Sequence, residues 1–248
     1  MAKALCIKAV NTAQDSENRI HDDAVAAEYG FAGGLVPGVT IYGYMASAAI
    51  DHFGFDWLGR GAMDVRFFSP FLGGEEVAIS AEVNDGRLKI DAGGRASATA
   101  WIPEPVTVED YPPVHPPRDR VAASRETIRA GVVLGSIEKK LGLSQPQVAA
   151  PLDAFVGAER FAHPAILLSL ANEILMQSFV LGPWVHSSSE VRNFSAACDG
   201  EIVEVRAKID ETFERKGHEL AVLDVGVLSW GRLVSRVRHT VIWQLRRP

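Results

Sequence analysis

DVRFFSPFLGGEEV, residues 64–77, returns 126 residues later as EVRNFSAACDGEIV, residues 190–203, with seven of the fourteen positions identical and no gap. Self-similarity at a fixed spacing marks a duplicated structural unit. Working outward, Pro37 ahead of VTIYGYMASAAI (residues 39–50) answers to Pro164 ahead of AILLSLANEILMQSFV (residues 165–180). A short strand over residues 5–10 answers to residues 133–139, so the spacing stays near 126 to 128. The first of these runs is apolar on nearly every face, which predicts a helix buried all round. Its counterpart is bulkier, with Leu167, Leu168, Leu170, Leu175 and Met176 where the first run has small residues such as Gly43, Ala46 and Ser47. These side chains are expected to wall an apolar pocket.

Each helical run is followed by alternating segments. In the first half they are VAISAEV from Val77 and KIDAGGRASATAWI from Lys89. In the second they are IVEVRAKI, LAVLDVGVLSW and LVSRVRHTVIWQL. Their period of two, with turns at residues 84–86 and 215–218, predicts antiparallel hairpins. The fold class is therefore α+β, with two antiparallel sheets each wrapped round a central buried helix. We divide the chain into a first unit over residues 1–102, a Pro-rich linker over 103–129 and a second unit over 130–248. The linker, PEPVTVEDYPPVHPPRDR, should run extended and lead into a short helix near Ser124, with His115 as a solvated linker histidine.

Composition excludes several classes. At 248 residues the chain can bury a large core without staples, and Cys6 and Cys198, two in all, make neither a disulfide framework nor a metal cluster. Their strand-like contexts suggest buried thiols. A net charge of −6 argues against nonspecific nucleic-acid binding, and no apolar run approaches the roughly 20 residues a bilayer span needs. The first fifteen residues are a poor secretory signal, which places the protein in the cytoplasm.

The residues that carry chemistry lie in NRIHDDAVAAEYGFAGGLVPG, residues 18–38. Asn18 and His21 precede an acidic pair that reads as a helix start, and a Gly-rich turn leads to Pro37 and Gly38 at the entrance to the apolar helix. A helix start offers backbone donors to negative charge. Read without context, Asn18 and His21 are also an ordinary pair of loop-capping residues.

The segment resembles the signature of MaoC-like (R)-specific enoyl-CoA hydratases and dehydratases: Asp-x-Asn-Pro-x-His, an acidic residue, Gly-Phe, then His-Gly at the central helix. The matching positions are Asn18, His21, Asp23, Gly30, Phe31 and Gly38, and residues 66–77 continue the likeness. The dyad aspartate of the family falls on Ser16, with Asp15 one place upstream, and its second histidine falls on Pro37. The resemblance implies a tandem double hotdog, in which two units pair within one chain as a monomeric pseudo-dimer or a homo-oligomer of it.

It further implies a hydro-lyase of fatty-acid metabolism that hydrates a 2-enoyl thioester on CoA or an acyl carrier. No metal or redox cofactor is expected, nor a nucleic-acid or membrane partner. His21 would be the base, Asn18 would orient the water or the ring, and Asp15 or Ser16 would stand at the acid position. Pro37, Gly38, Phe31 and Tyr42 would line the substrate site, with the Gly38 N–H on the thioester oxygen. Two alternatives stay open. A hotdog thioesterase would use Asp15, Glu17 or Asp23 near the carbonyl, and a noncatalytic acyl-binding protein would have kept the pocket and lost the dyad. Opposite residues 16–21 the second half has SQPQVA, residues 144–149, with Pro146 and Ala149 in place of Asn and His, so one site per chain is expected. His163, beside Pro164, is a weaker candidate base.

Overall fold

The computed structural model of the chain describes residues 3–108, 110–142 and 161–246. The lost motif at Pro146 and Ala149 lies outside the described residues. The first half contributes β1 (Lys3–Lys8), a 3-10 turn (Arg19–His21), α1 (Asp23–Glu28), α2 (Gly38–Phe53), α3 (Asp56–Arg60), β2 (Ala62–Phe67), β3 (Glu76–Asn84), β4 (Arg87–Ala92) and β5 (Ala96–Trp101). After β6 (Val121–Ala122) the second half supplies β7 (Ile137–Lys140), α4 (Pro164–Ser178), β8 (Phe179–Val180), β9 (Val185–Asn193), β10 (Ile202–Arg215), β11 (His218–Ser229) and β12 (Arg232–Gln244).

The two expected sheets meet edge to edge and form one antiparallel sheet in the order β1-β3-β4-β5-β2-β9-β12-β11-β10-β7. Read from either end, the order of equivalent strands is the same. The junction is β2 against β9, and there Asp64 stands opposite Glu190, its own counterpart in the repeat. A pseudo-twofold axis therefore passes between these two residues. The helices α2 and α4 pack against each other inside the sheet, and every residue of α2 from Val39 to Met45 is buried. Both expected hairpin turns form, with positive φ at Asp85 and at Lys216. A third turn of the same kind, at Trp230, joins β11 to β12 and leaves the indole 89% exposed.

Four local expectations need correction. The helix starts stand 126 residues apart, as the matched strands do, so Pro37 answers to His163 and Gly38 to Pro164. The edge strand of the second half is shifted: Val203 pairs with Lys139, whereas its equivalent Val77 pairs with Ile7. The cause is an interruption after Val133, which pairs separately with Lys208 before β7 begins. Ser124 opens a single turn, its Oγ accepting from the Glu126 and Thr127 amides, and no helix follows because Gly131 pairs back onto Ile209. Cys6 and Cys198 are both exposed, the first on an edge strand and the second in a turn. The described residues of the linker run without regular structure up to β6, and Tyr111 and Pro112 lie against Gly226 of β11. The His115 side chain faces solvent beside the Pro116 carbonyl.

Like charges directly opposite each other in an antiparallel pair are destabilising. Partial burial and the Glu190 carboxylate raise the Asp64 pKa, so the folded state favours its neutral form and loses that contribution as pH rises through the carboxylate range. Glu190→Gln should raise stability at pH 7 by about 0.2–1 kcal/mol. Denaturant titrations at pH 7 and pH 3 check this, because the gain should vanish where both carboxyls are protonated.

Candidate active site

The loop ahead of α2 is built by short-range capping. Asn18 caps the 3-10 turn, its Oδ1 accepting from the Ile20 amide at 3.4 Å, and Asp22 caps α1 through the Val25 amide at 3.0 Å. Asp23 Oδ1 accepts from the Gly34 amide at 2.7 Å, which folds the Gly-rich turn back over the imidazole loop. Only glycine fits at position 34, since a Cβ there would stand 2.1 Å from the His21 carbonyl oxygen. This close approach brings the Leu35 carbonyl within 2.6 Å of His21 Nδ1.

A carbonyl can only accept, so Nδ1 carries the proton and Nε2 presents a lone pair. The Asn18 Nδ2 group lies 3.4 Å from Nε2 and points a donor at it, consistent with that tautomer. Burial lowers the His21 pKa from its ordinary 6.5, the Leu35 bond pulling the other way. His21 is thus a neutral base at pH 7. Asn18 is not free to hold a water by its oxygen, because Oδ1 also accepts from the Trp184 amide at 3.1 Å while Nδ2 donates to the Trp184 carbonyl at 2.9 Å. This two-bond clamp ties the loop of the first half to the second half, and it leaves Asn18 as an orienter of the ring.

Two cavities flank His21 and share Asn18, His21, Pro37, Asn172 and Trp184 as lining. The larger, about 900 Å³, is the more polar of the two, lined by the 11–18 loop and by Ser169, Asn172, Glu173, Met176 and Gln177 of α4. Arg120 and Lys139 also reach it, paired with Glu17 at 2.8 Å and Glu173 at 2.7 Å. The smaller, about 290 Å³, is mostly apolar, with Phe31, Leu35, Ile41, Phe67 and Phe71 from one half and Trp184, Val185, Ile242 and Leu245 from the other. Gly38 opens onto this second cavity.

The two helix starts differ in what they offer a ligand. The cap of α2 is Pro37, which has no side-chain acceptor, and the Gly38 amide has no acceptor among the described residues. In α4 the donors are used up. Pro164 has no N–H, the Ala165 amide donates to His163 Nδ1 at 3.1 Å and the Ile166 amide to the His163 carbonyl at 2.9 Å. Burial takes the His163 pKa down to about 4, and the residue serves as a neutral helix cap.

Behind Gly38 lies a chain of polar groups that the sequence did not flag. His186 Nε2 is 2.8 Å from Ser189 Oγ, which is 2.9 Å from His239 Nδ1, all three side chains being buried. Burial lowers the His186 pKa to about 3 and holds His239 well below 6.5. A Cβ at position 38 would stand 2.7 Å from His186 Nδ1 and 3.2 Å from Phe67 Cε2, so the helix can start this close only with glycine.

Of the residues singled out from sequence, His21, Asn18, Asp15, Ser16 and Pro37 line the larger cavity, and Gly38 and Phe31 the smaller. Asp15 is exposed, and no hydrogen bond or ion pair joins it to His21 among the described residues. Ser16 Oγ donates to the Asn18 carbonyl at 3.2 Å. Tyr42 is buried in the core, lines neither cavity and has its pKa raised by burial, while the Tyr44 hydroxyl accepts from the Val10 amide at 3.2 Å. Leu167, Leu168, Leu170 and Leu175 also belong to the core, so α4 presents a more polar face to the cleft than its sequence suggested. Asn172, Trp184 and His186 were missed. Asn172 carried a signal, an amide near the middle of a mainly apolar helix. Trp184 and His186 lie outside the matched repeat.

The fold is a tandem double hotdog. A protein described as a MaoC domain dehydratase from Chloroflexus aurantiacus superposes with a TM-score of 0.66 at 10% identity, over 99% of this chain and 95% of that one. A Mycobacterium tuberculosis protein with a double hotdog fold gives 0.61 at 14% identity, over 97% and 96%. One described as an oleoyl thioesterase from Lactobacillus plantarum gives 0.56 at 9%, over 99% and 98%. No protein-family model matches the chain, and no curated protein sequence matches it either. Among the described residues no group of three or more His, Cys, Asp or Glu is placed to hold a metal ion, and no helix is long and apolar enough to cross a membrane.

Two outcomes follow. Gly38→Ala should lower stability by about 1–3 kcal/mol, since the start of α2 must move away from His186. Denaturant titration of the purified variant reads this directly. His21, His163, His186 and His239 are all held below 6.5, so the unfolded chain takes up protons that the folded chain does not. Stability should be complete above pH 6.5 and fall as pH drops below it. A thermal midpoint lower at pH 5 than at pH 7.5 is expected, and a flat profile would show that these imidazoles are not held neutral.

Proposed function

We propose that the chain catalyses reversible addition of water to a 2-enoyl thioester, giving the (R)-3-hydroxyacyl thioester. The observation that carries this reading is the pairing of a neutral imidazole, its tautomer fixed by Leu35, with an uncapped helix start on the same cleft. The thioester oxygen accepts from the Gly38 N–H, where the positive end of α2 favours charge as the enolate develops. His21 Nε2 takes a proton from water as the water oxygen bonds to the β-carbon. The same proton then passes from Nε2 to the α-carbon, the enolate collapses to the thioester, and His21 is neutral again. One imidazole therefore serves as base and acid in turn, which accommodates Ser16 at the position of the dyad aspartate.

The apolar cavity takes a compact acyl group. The polar one, with Arg120 and Lys139, takes the phosphorylated arm of CoA or an acyl carrier. Hydrolysis is the weaker reading. Asp23 is spent on the Gly34 amide, Glu17 on Arg120, and Asp15 faces solvent, so none of the three carboxylates is poised at the carbonyl.

Purified protein should hydrate crotonyl-CoA or trans-2-octenoyl-CoA, and His21→Ala should cut kcat by about 100-fold or more. Burial places the acid limb of the pH profile below 6.5, with activity lost as Nε2 is protonated. Release of free CoA without hydration would identify a thioesterase. Binding of the same thioesters with no turnover would identify a carrier or binding protein.

A further inference from the structure

Asn172 of α4 stands 126 residues from Ala46, its counterpart on α2, so one half has an amide where the other has a methyl group. Its side chain makes no hydrogen bond among the described residues, and its Oδ1 is buried without a partner. The residue itself is half-buried and lines both cavities with His21, so a half-turn of the unbonded amide brings the oxygen to the cleft. The polar neighbours of Asn172 on the same helix are committed: Ser169 Oγ donates to the Ile166 carbonyl at 2.8 Å, and Glu173 pairs with Lys139.

A buried acceptor left unpaired destabilises the fold, whereas an alanine at this position would cost nothing of the kind. A group kept at that cost, on the cavities that the proposed base also lines, calls for a donor that arrives with the reaction. The attacking water has two O–H groups, and its lone pair is aimed at the β-carbon only when both are held. His21 Nε2 can accept one in place of its long 3.4 Å contact with the Asn18 amide. Asn18 cannot accept the other, because its oxygen already takes the Trp184 and Ile20 amides.

We propose that Asn172 is the second acceptor, holding the nucleophilic water together with His21 and, in the product, the 3-hydroxyl group. This rests on the hydration reading. The second half would then supply a water-positioning group to the site whose base belongs to the first half. Substrates with a hydroxyl donor at the third carbon are favoured over saturated ones.

The test compares Asn172→Leu, close in size but apolar, with Asn172→Asp, which keeps the oxygens. Asn172→Leu should lower kcat on crotonyl-CoA by about 10- to 100-fold with KM within about threefold, and its thermal midpoint should be unchanged or higher, because an unpaired buried oxygen is gone. Asn172→Asp should retain more of kcat than the leucine variant. Full kcat in Asn172→Leu, or a loss accompanied by a fall in thermal midpoint in both variants, overturns the proposal. Calorimetric titration with 3-hydroxybutyryl-CoA and butyryl-CoA works without turnover. Wild type should prefer the hydroxy ligand by about tenfold, and Asn172→Leu should lose that preference. Equal affinities in wild type overturn the inference even if crotonyl-CoA is hydrated. The expected preference without any hydration supports the hydroxyl-accepting role of Asn172 and removes the hydratase reading alone.

Discussion

A helix that is apolar over most of its surface has to be enclosed on most sides, and the rest of this molecule depends on meeting that demand twice. The five strands of one half can cover one side of α2 and no more. The open side is covered by α4, whose own open side is covered by α2. Neither half could bury its helix alone, which is why β2 and β9 join the two sheets into one along the pseudo-twofold axis. Burial of this kind is the dominant favourable term in folding, and here it fixes the relative placement of the halves.

The position of the cleft follows. Residues brought to the seam between α2 and α4 come from distant parts of the chain, and the Asn18 to Trp184 clamp spans 166 positions. A loop pinned at both its amide groups loses the freedom to drift, so the imidazole of His21 is held by Leu35 on one nitrogen and screened by Asn18 at the other. Its neutrality has the same origin. The enclosure that buries the helices withdraws solvent from four imidazoles, and burial is the main cause that lowers the pKa of each.

Local patterning made the repeat, both buried helices and the hairpin turns at Asp85 and Lys216 legible in sequence, because each is written in residues that are neighbours in the chain. The turn at Trp230 was not legible, since an indole is a poor candidate for positive φ. Nor was the exposure of Cys6: alternation gives the two faces of a strand and not whether an edge is covered. In the site, Asn18, His21 and Gly38 could be picked out by order and spacing. The division of labour on Asn18 could not, because both its Trp184 bonds reach across the fold. The α4 helix misled in composition, its leucines turning to the core and its few polar residues to the cleft.

Fusion of the two units explains how such unequal helix starts can coexist. In a symmetric homodimer every substitution appears twice, so a residue that closes one site closes the other. Within one chain the equivalents are free to part. Pro37 and Gly38 leave the start of α2 open, while His163 and Pro164 seal the start of α4 with a side-chain cap and a missing donor. Sealing one end removes two unsatisfied donors from the interior and stabilises that half. Leaving the other open forgoes this gain where a ligand can supply the acceptor. The same freedom lets position 172 carry an amide while position 46 keeps a methyl group against the packed core. In that arrangement the second half is no vestige. It closes the core, anchors the imidazole loop through Trp184 and faces the cleft with the polar side of α4.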